Sequence, residues 1–113
     1  MTTHITAVTF DATDAAASAA FWAAVLDARV ADGATGDTAS VQPHDGVPLY
    51  FMRVPEAKAV KNRVHLDVEV DDLDAEIARV TALGATVHAR HGEPTGWVVM
   101  IDPEGNEFCL VAG

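Results

Sequence analysis

The chain has 113 residues, half of them apolar, with seventeen acidic and seven basic side chains for a formal charge of -10. That is enough for one domain with its own core, without disulfides or a structural metal. The acidity argues against nucleic acid and anionic membranes as partners, because Lys58, Lys61 and Arg63 form the one local basic cluster. A lone cysteine, Cys109, makes no internal disulfide, the opening MTTHITAVTF lacks the pattern of a signal peptide, and no apolar run approaches the ~18–20 residues of a membrane span. A cytoplasmic protein is expected.

In chain order, HITAVTF (4–10) has the β-branched content of a strand and would turn Thr6, Val8 and Phe10 toward a core. The period then changes. Over residues 14–28, Phe21 with Val25 and Trp22 with Leu26 are i, i+4 pairs, the alanines favour helix, and Asp14 can cap it, which predicts an amphipathic helix. The Gly/Asp/Thr-rich stretch 32–40 reads as loop and weak strand. VPLYFMRV (47–54) reads as a strand with Leu49 and Phe51 on one face and Tyr50 and Met52 on the other.

RVHLDVEV (63–70) alternates strictly, so Val64, Leu66, Val68 and Val70 are expected in a core and His65, Asp67 and Glu69 on a polar face. Residues 71–85 form a second helix pattern, with an Asp cap, Leu73, Ile77 and Val80 on one stripe, and Gly84 placed to end it. Strand TVHARH (86–91) follows, with His88 and His91 expected on opposite faces. After a loop holding Gly92, Pro94 and Gly96, WVVMID and NEFCLV form a hairpin around PEGN, itself a turn whose charges need no catalytic role. His4 and His44 read as surface residues.

The order strand, helix, strands occurs twice. Leu26, Ala28 and Val30 fall on Leu83, Ala85 and Val87 at a constant offset of 57, which marks an internal duplication. The fold class expected is α+β, one domain over 1–113 made of two βαβββ modules, 1–57 and 58–113, forming a mixed curved sheet. With helices covering one side, the other side would form a cleft for a small molecule.

The segments RVHLDVEVDDLDAEIARVTALGATV and GWVVMIDPEGNEFCLV, within that duplication, resemble the vicinal oxygen chelate superfamily of glyoxalases, bleomycin-resistance proteins and extradiol dioxygenases, and among these the small glyoxalase-like proteins. The resemblance spans essentially the whole chain. It implies a homodimer, and in the metal-dependent members a divalent cation, Zn, Ni or Fe, held by a His or Gln on the first strand, a Glu on the fourth, a His on the fifth and a Glu on the eighth. Carried across, the pattern places its four positions at Ala7, on the Tyr50/Met52 face, at His65 and at Cys109. His65 alone matches. Ala7 has no donor atom and the fourth-strand face has no carboxylate. The count implies no cofactor, with a metal reachable only through neighbours such as Asp67, Glu69 or Glu107.

Glyoxalase-like binding of a small molecule in the cleft between the two modules, with the usual metal site largely lost, is therefore the expected function. Metal-independent lyase or isomerase chemistry would use His65 and Asp67, with Tyr50 donating to a substrate oxygen; Tyr50, Met52, Glu69, Trp97, Glu107 and Cys109 would line the pocket. Cys109, with no base near it in sequence, is expected as a buried, unreactive wall with a raised pKa. The alternative is a non-catalytic, ligand-sequestering protein like the bleomycin-resistance relatives, its acidic surface attracting a cationic ligand.

Overall fold

Two aspartates start the two helices of the computed structural model, which describes residues 2–92 and 96–113. Asp14 and Asp72 are both extended, and each side chain accepts the backbone N–H three residues on, from Ala17 and Ala75 at 3.1 Å. This satisfies one of the free N–H groups of the first turn, worth about 1 kcal/mol per cap. The helices are α1 (Ala15–Val25) and α2 (Leu73–Ala82).

They end alike as well. Leu26 N–H donates to Trp22 and Ala28 N–H to Ala23; at an offset of 57, Leu83 N–H donates to Arg79 and Ala85 N–H to Val80. Such a reversal needs one residue at positive φ, supplied by Gly84 at 117° in the second copy and by Asp27 at 50° in the first.

The chain divides into two compact units, Met1–Ala57 and Lys58–Gly113. In the first, β1 (Val8–Ala12), β2 (Arg29–Val30), β3 (Thr38–Gln42) and β4 (Leu49–Arg53) form a sheet in the order β1-β4-β3-β2, with β1 parallel to β4. Its core joins Phe10 to Trp22 and Phe51, ring centroids 5.8 and 5.2 Å apart, over buried Val41 and Leu49. The faces of β4 alternate as the sequence reads. α1 buries more than one stripe, since Ala15, Ser18, Ala19, Phe21, Trp22, Ala23 and Val25 are all buried.

The second unit repeats the plan with β5 (Asp67–Val70), β6 (Thr86–His91), β7 (Trp97–Ile101) and β8 (Glu107–Ala112) in the order β5-β8-β7-β6, β5 parallel to β8. α2 packs against β8 and β6. Val80, Val98, Met100, Phe108 and Leu110 are fully buried, each worth roughly 1.5–3 kcal/mol of apolar transfer. The architecture is thus α+β, two mixed four-stranded sheets with one helix each.

Both module-opening strands begin later than their alternation predicts. Residues 4–7, with Thr6, precede β1, and 63–66 precede β5, leaving Val64 79% exposed rather than in the core. The reason is visible at Asn62: its side-chain Nδ2 donates to Glu107 O at 3.1 Å and its N–H to Glu107 Oε1 at 2.9 Å. The Asn62 side chain thus occupies the Glu107 carbonyl that a longer strand ladder would have used. The turn after β7 is held by Asp102, a buried carboxylate whose Oδ1 accepts from Glu104 N–H at 2.9 Å and Asn106 N–H at 2.8 Å. In the loop before β7, Pro94 lies outside the described residues.

Candidate functional site

The sheet of the second unit has one face packed by α2 and one face carrying its polar chemistry. Register fixes which residues share the second face. Asp67 pairs Cys109, Cys109 pairs Val99, and Val99 pairs Ala89, making one row across β5, β8, β7 and β6; Glu107 with Ile101, and Glu69 with Val111, Trp97 and His91, flank it.

Three donor groups converge at one end of that row. His65 Nε2 lies 3.3 Å from Asp67 Oδ1, and ligand atoms of His65, Asp67 and Cys109 all lie within 4.8 Å of one another. His65 and Asp67 are exposed while Cys109 is 6% exposed. Burial pushes the Cys109 thiol up, the negative charge of Asp67 and a hydrogen bond to its carboxylate push it further, and the Lys61 ammonium pulls weakly the other way. The thiol is protonated at neutral pH and is not an activated nucleophile.

The same end of the sheet borders a cavity of about 630 Å³, lined in part by His65, His88, His91, Lys61, Glu107 and Cys109. Finding both His88 and His91 there corrects the expectation that they point to opposite faces. The register of β6 on β7 shifts between Val87 and Ala89, a β-bulge with His88 as the extra residue. A bulge resets the two-residue alternation, so His88, Ala89 and His91 all reach one cavity.

Glu107, on the same strand face as Cys109, is tied to its own unit. Its Oε2 sits 2.7 Å from Lys58 Nζ. Burial alone would raise this carboxyl, but the bonds from Lys58 and the Asn62 N–H outweigh it and leave the group below its ordinary value.

The remaining sequence candidates are dispersed. Tyr50 and Met52 belong to the first unit, on the exposed side of β4, where Tyr50 pairs with Thr9 and Ser40. Glu69 is exposed and lies against Gly113. Trp97 lies outside the cavity lining; it is 44% exposed and stacks on His91, centroids 5.2 Å apart. The polar residues lining the cavity that the sequence did not single out for the pocket are Lys58, Lys61, His88 and His91. The signal for the lysines was present as the one basic cluster; nothing in the sequence announced the bulge.

Whether these residues suit the divalent cation of metal-dependent relatives turns on the donors. Ala7 and Tyr50 stand in the first unit where His65 and Cys109 stand in the second: Thr9 faces Tyr50 as Asp67 faces Cys109, and Ala7 and His65 each lie two residues earlier. Sequence matching counted His65 alone; the structure adds Asp67 and Cys109 beside it. One imidazole nitrogen, one carboxylate oxygen and one sulfur suit a zinc-like ion with three protein ligands and an open position.

Comparison with known proteins agrees with this architecture. The sequence model of the glyoxalase-like domain matches residues 7–111. No curated protein matches. Among solved structures, a glyoxalase/bleomycin resistance protein/dioxygenase family enzyme from Burkholderia phytofirmans is 20% identical with a TM-score of 0.75, covering 95% of this chain and 96% of its own. The bleomycin-binding protein of Streptomyces verticillus, complexed with copper(II)-bleomycin, is 22% identical with a TM-score of 0.67, covering 100% and 99%. A mutant of the fosfomycin resistance protein FosX from Listeria monocytogenes, complexed with Mn(II) and 1S,2S-dihydroxypropylphosphonic acid, is 18% identical with a TM-score of 0.77, covering 100% and 92%. The matched span takes in both helices and every strand from β1 to β7, and nearly all of β8: this chain belongs to the glyoxalase-like domain family.

Proposed function

We propose that the second unit binds a small molecule in the cavity bordered by β5, β8, β7 and β6. The carrying observation is the cavity itself: about 630 Å³, lined by apolar Ala89, Val99 and Ile101 together with polar side chains, the composition expected of a ligand pocket. Support also comes from fold neighbours that bind bleomycin or a phosphonic acid. Native mass spectrometry of the protein against a small-molecule library tests this. Hits should bind with unit stoichiometry and be lost on Val99→Trp, which puts a bulky ring on the cavity wall; hits indifferent to that variant contradict it.

A second reading, lyase or isomerase chemistry, is favoured by the His65–Asp67 pair. A carboxylate 3.3 Å from Nε2 orients the ring, leaving its other nitrogen to exchange a proton with a bound molecule. A zinc ion held by His65, Asp67 and Cys109 would supply Lewis acidity toward a ligand oxygen. Under this reading His65→Ala abolishes turnover of a library hit while the protein stays folded; unchanged turnover rejects it and leaves ligand sequestration.

A further inference from the structure

A chain of formal charge -10 is expected to repel anions, but its lysines and histidines are not spread evenly. Both lysines and three of the five histidines line the cavity of the second unit. Of seventeen acidic residues, Glu107 is the one lining the cavity among the described residues, and Lys58 already neutralises it at 2.7 Å. Asp67 stands beside His65 at 3.3 Å, and its charge opposes that of the lysines.

Lys61 is different. It makes no ion pair among the described residues, whereas Arg53, Arg79 and Arg90 are matched to Asp37, Glu76 and Asp74. Its charge nevertheless reaches the cavity wall, since it acts on the Cys109 thiol. On the far side, the bulge of β6 turns His88 to the cavity beside His91, adding two imidazoles that can donate N–H bonds.

The geometry points to a small anionic ligand, bearing a carboxylate or phosphoryl group, as the occupant of this cavity. Its oxygens meet the Lys61 ammonium and accept from imidazole N–H groups, while its apolar part rests on Ala89, Val99 and Ile101. This rests on the cavity being the binding site, and reverses the cationic preference that overall composition suggests. A local cluster outweighs net charge because the field of distant surface carboxylates is screened within ~8–10 Å in physiological salt.

The test uses four probes that share one ring: phenyl phosphate, benzoate, benzyl alcohol and benzylamine, titrated while amide signals of Lys61, His65, Ala89, Val99 and Cys109 are followed by NMR. Phenyl phosphate and benzoate should bind about tenfold tighter than benzylamine, with the gap shrinking at high salt. Lys61→Gln, an exposed substitution, should weaken phenyl phosphate roughly five- to tenfold and leave benzyl alcohol unchanged. Binding of benzylamine as tightly as phenyl phosphate, or indifference to Lys61→Gln, overturns the anionic assignment. In that case shifts from benzyl alcohol or benzylamine at these amides keep the cavity as a binding site. Silence from all four probes at millimolar concentration overturns both.

Discussion

Asp67 and Cys109 are partners across the parallel β5–β8 ladder, and the carboxylate that helps hold the thiol's pKa up also lies 3.3 Å from the His65 imidazole. One acidic side chain thus touches two reactive groups and raises the pKa of the thiol. Asp67→Asn removes a negative charge beside a buried thiol, so its pKa should fall and alkylation of Cys109 by iodoacetamide at mildly alkaline pH should rise roughly three- to tenfold. Lys61→Gln acts in the opposite direction and should slow it. Equal rates in all three proteins would contradict the electrostatic coupling.

The Lys58–Glu107 pair makes stability depend on pH. The folded carboxyl lies below its ordinary value of 4.5, so its contribution is present above that value and is lost as pH falls through the folded value. Lys58→Met removes the largest of the interactions that lower it, leaving the Asn62 N–H. It should cost about 1–2 kcal/mol at neutral pH, between exposed and buried pairs, and flatten the acid limb of the urea midpoint against pH. A variant with the same acid limb as wild type would show that the pair does not couple to folding.

Zinc binding to His65, Asp67 and Cys109 should release the thiol proton, because the ligand is the thiolate. Calorimetry in two buffers of different ionisation enthalpy should report about one proton released per ion at neutral pH. Cys109→Ser should remove that release and weaken binding at least tenfold. Binding that survives both Cys109→Ser and His65→Ala would place the ion elsewhere.

The two helix ends offer a stability comparison. Asp27 holds a φ of 50° where its duplicate, Gly84, holds 117°. Asp27→Gly should therefore stabilise by about 0.5–1 kcal/mol, read as a raised Tm, whereas Gly84→Ala should destabilise by ~1 kcal/mol. Asp102→Ala leaves the Glu104 and Asn106 N–H groups without their acceptor and should cost about 2–4 kcal/mol.

The duplication was legible because helix caps and β alternation are local signals: Asp14, Gly84 and the Leu49/Phe51 face all stand as the residues imply. Strand starts were not, because pairing partners decide them. Val64 alternates correctly with Val68 but sits where Asn62 replaces the ladder. The site was legible in part. Cys109 is the register partner of Asp67, Glu107 shares its face, and His65 lies beside the Asp67 carboxylate although it precedes the strand. His88 escaped because a bulge breaks the two-residue period without any Gly or Pro to mark it, and Lys61 because net charge hides a local cluster.

Whether the cavity on the second unit is a binding site is tested most directly by mapping a library hit on the protein by NMR, with Val99→Trp alongside. The account predicts saturable shifts confined to the amides of β5, β8, β7 and β6 around Cys109 and Val99, and their loss in the variant while its spectrum otherwise stays native. Shifts that cluster around Tyr50 and Met52 instead, or persist undiminished in Val99→Trp, would contradict it.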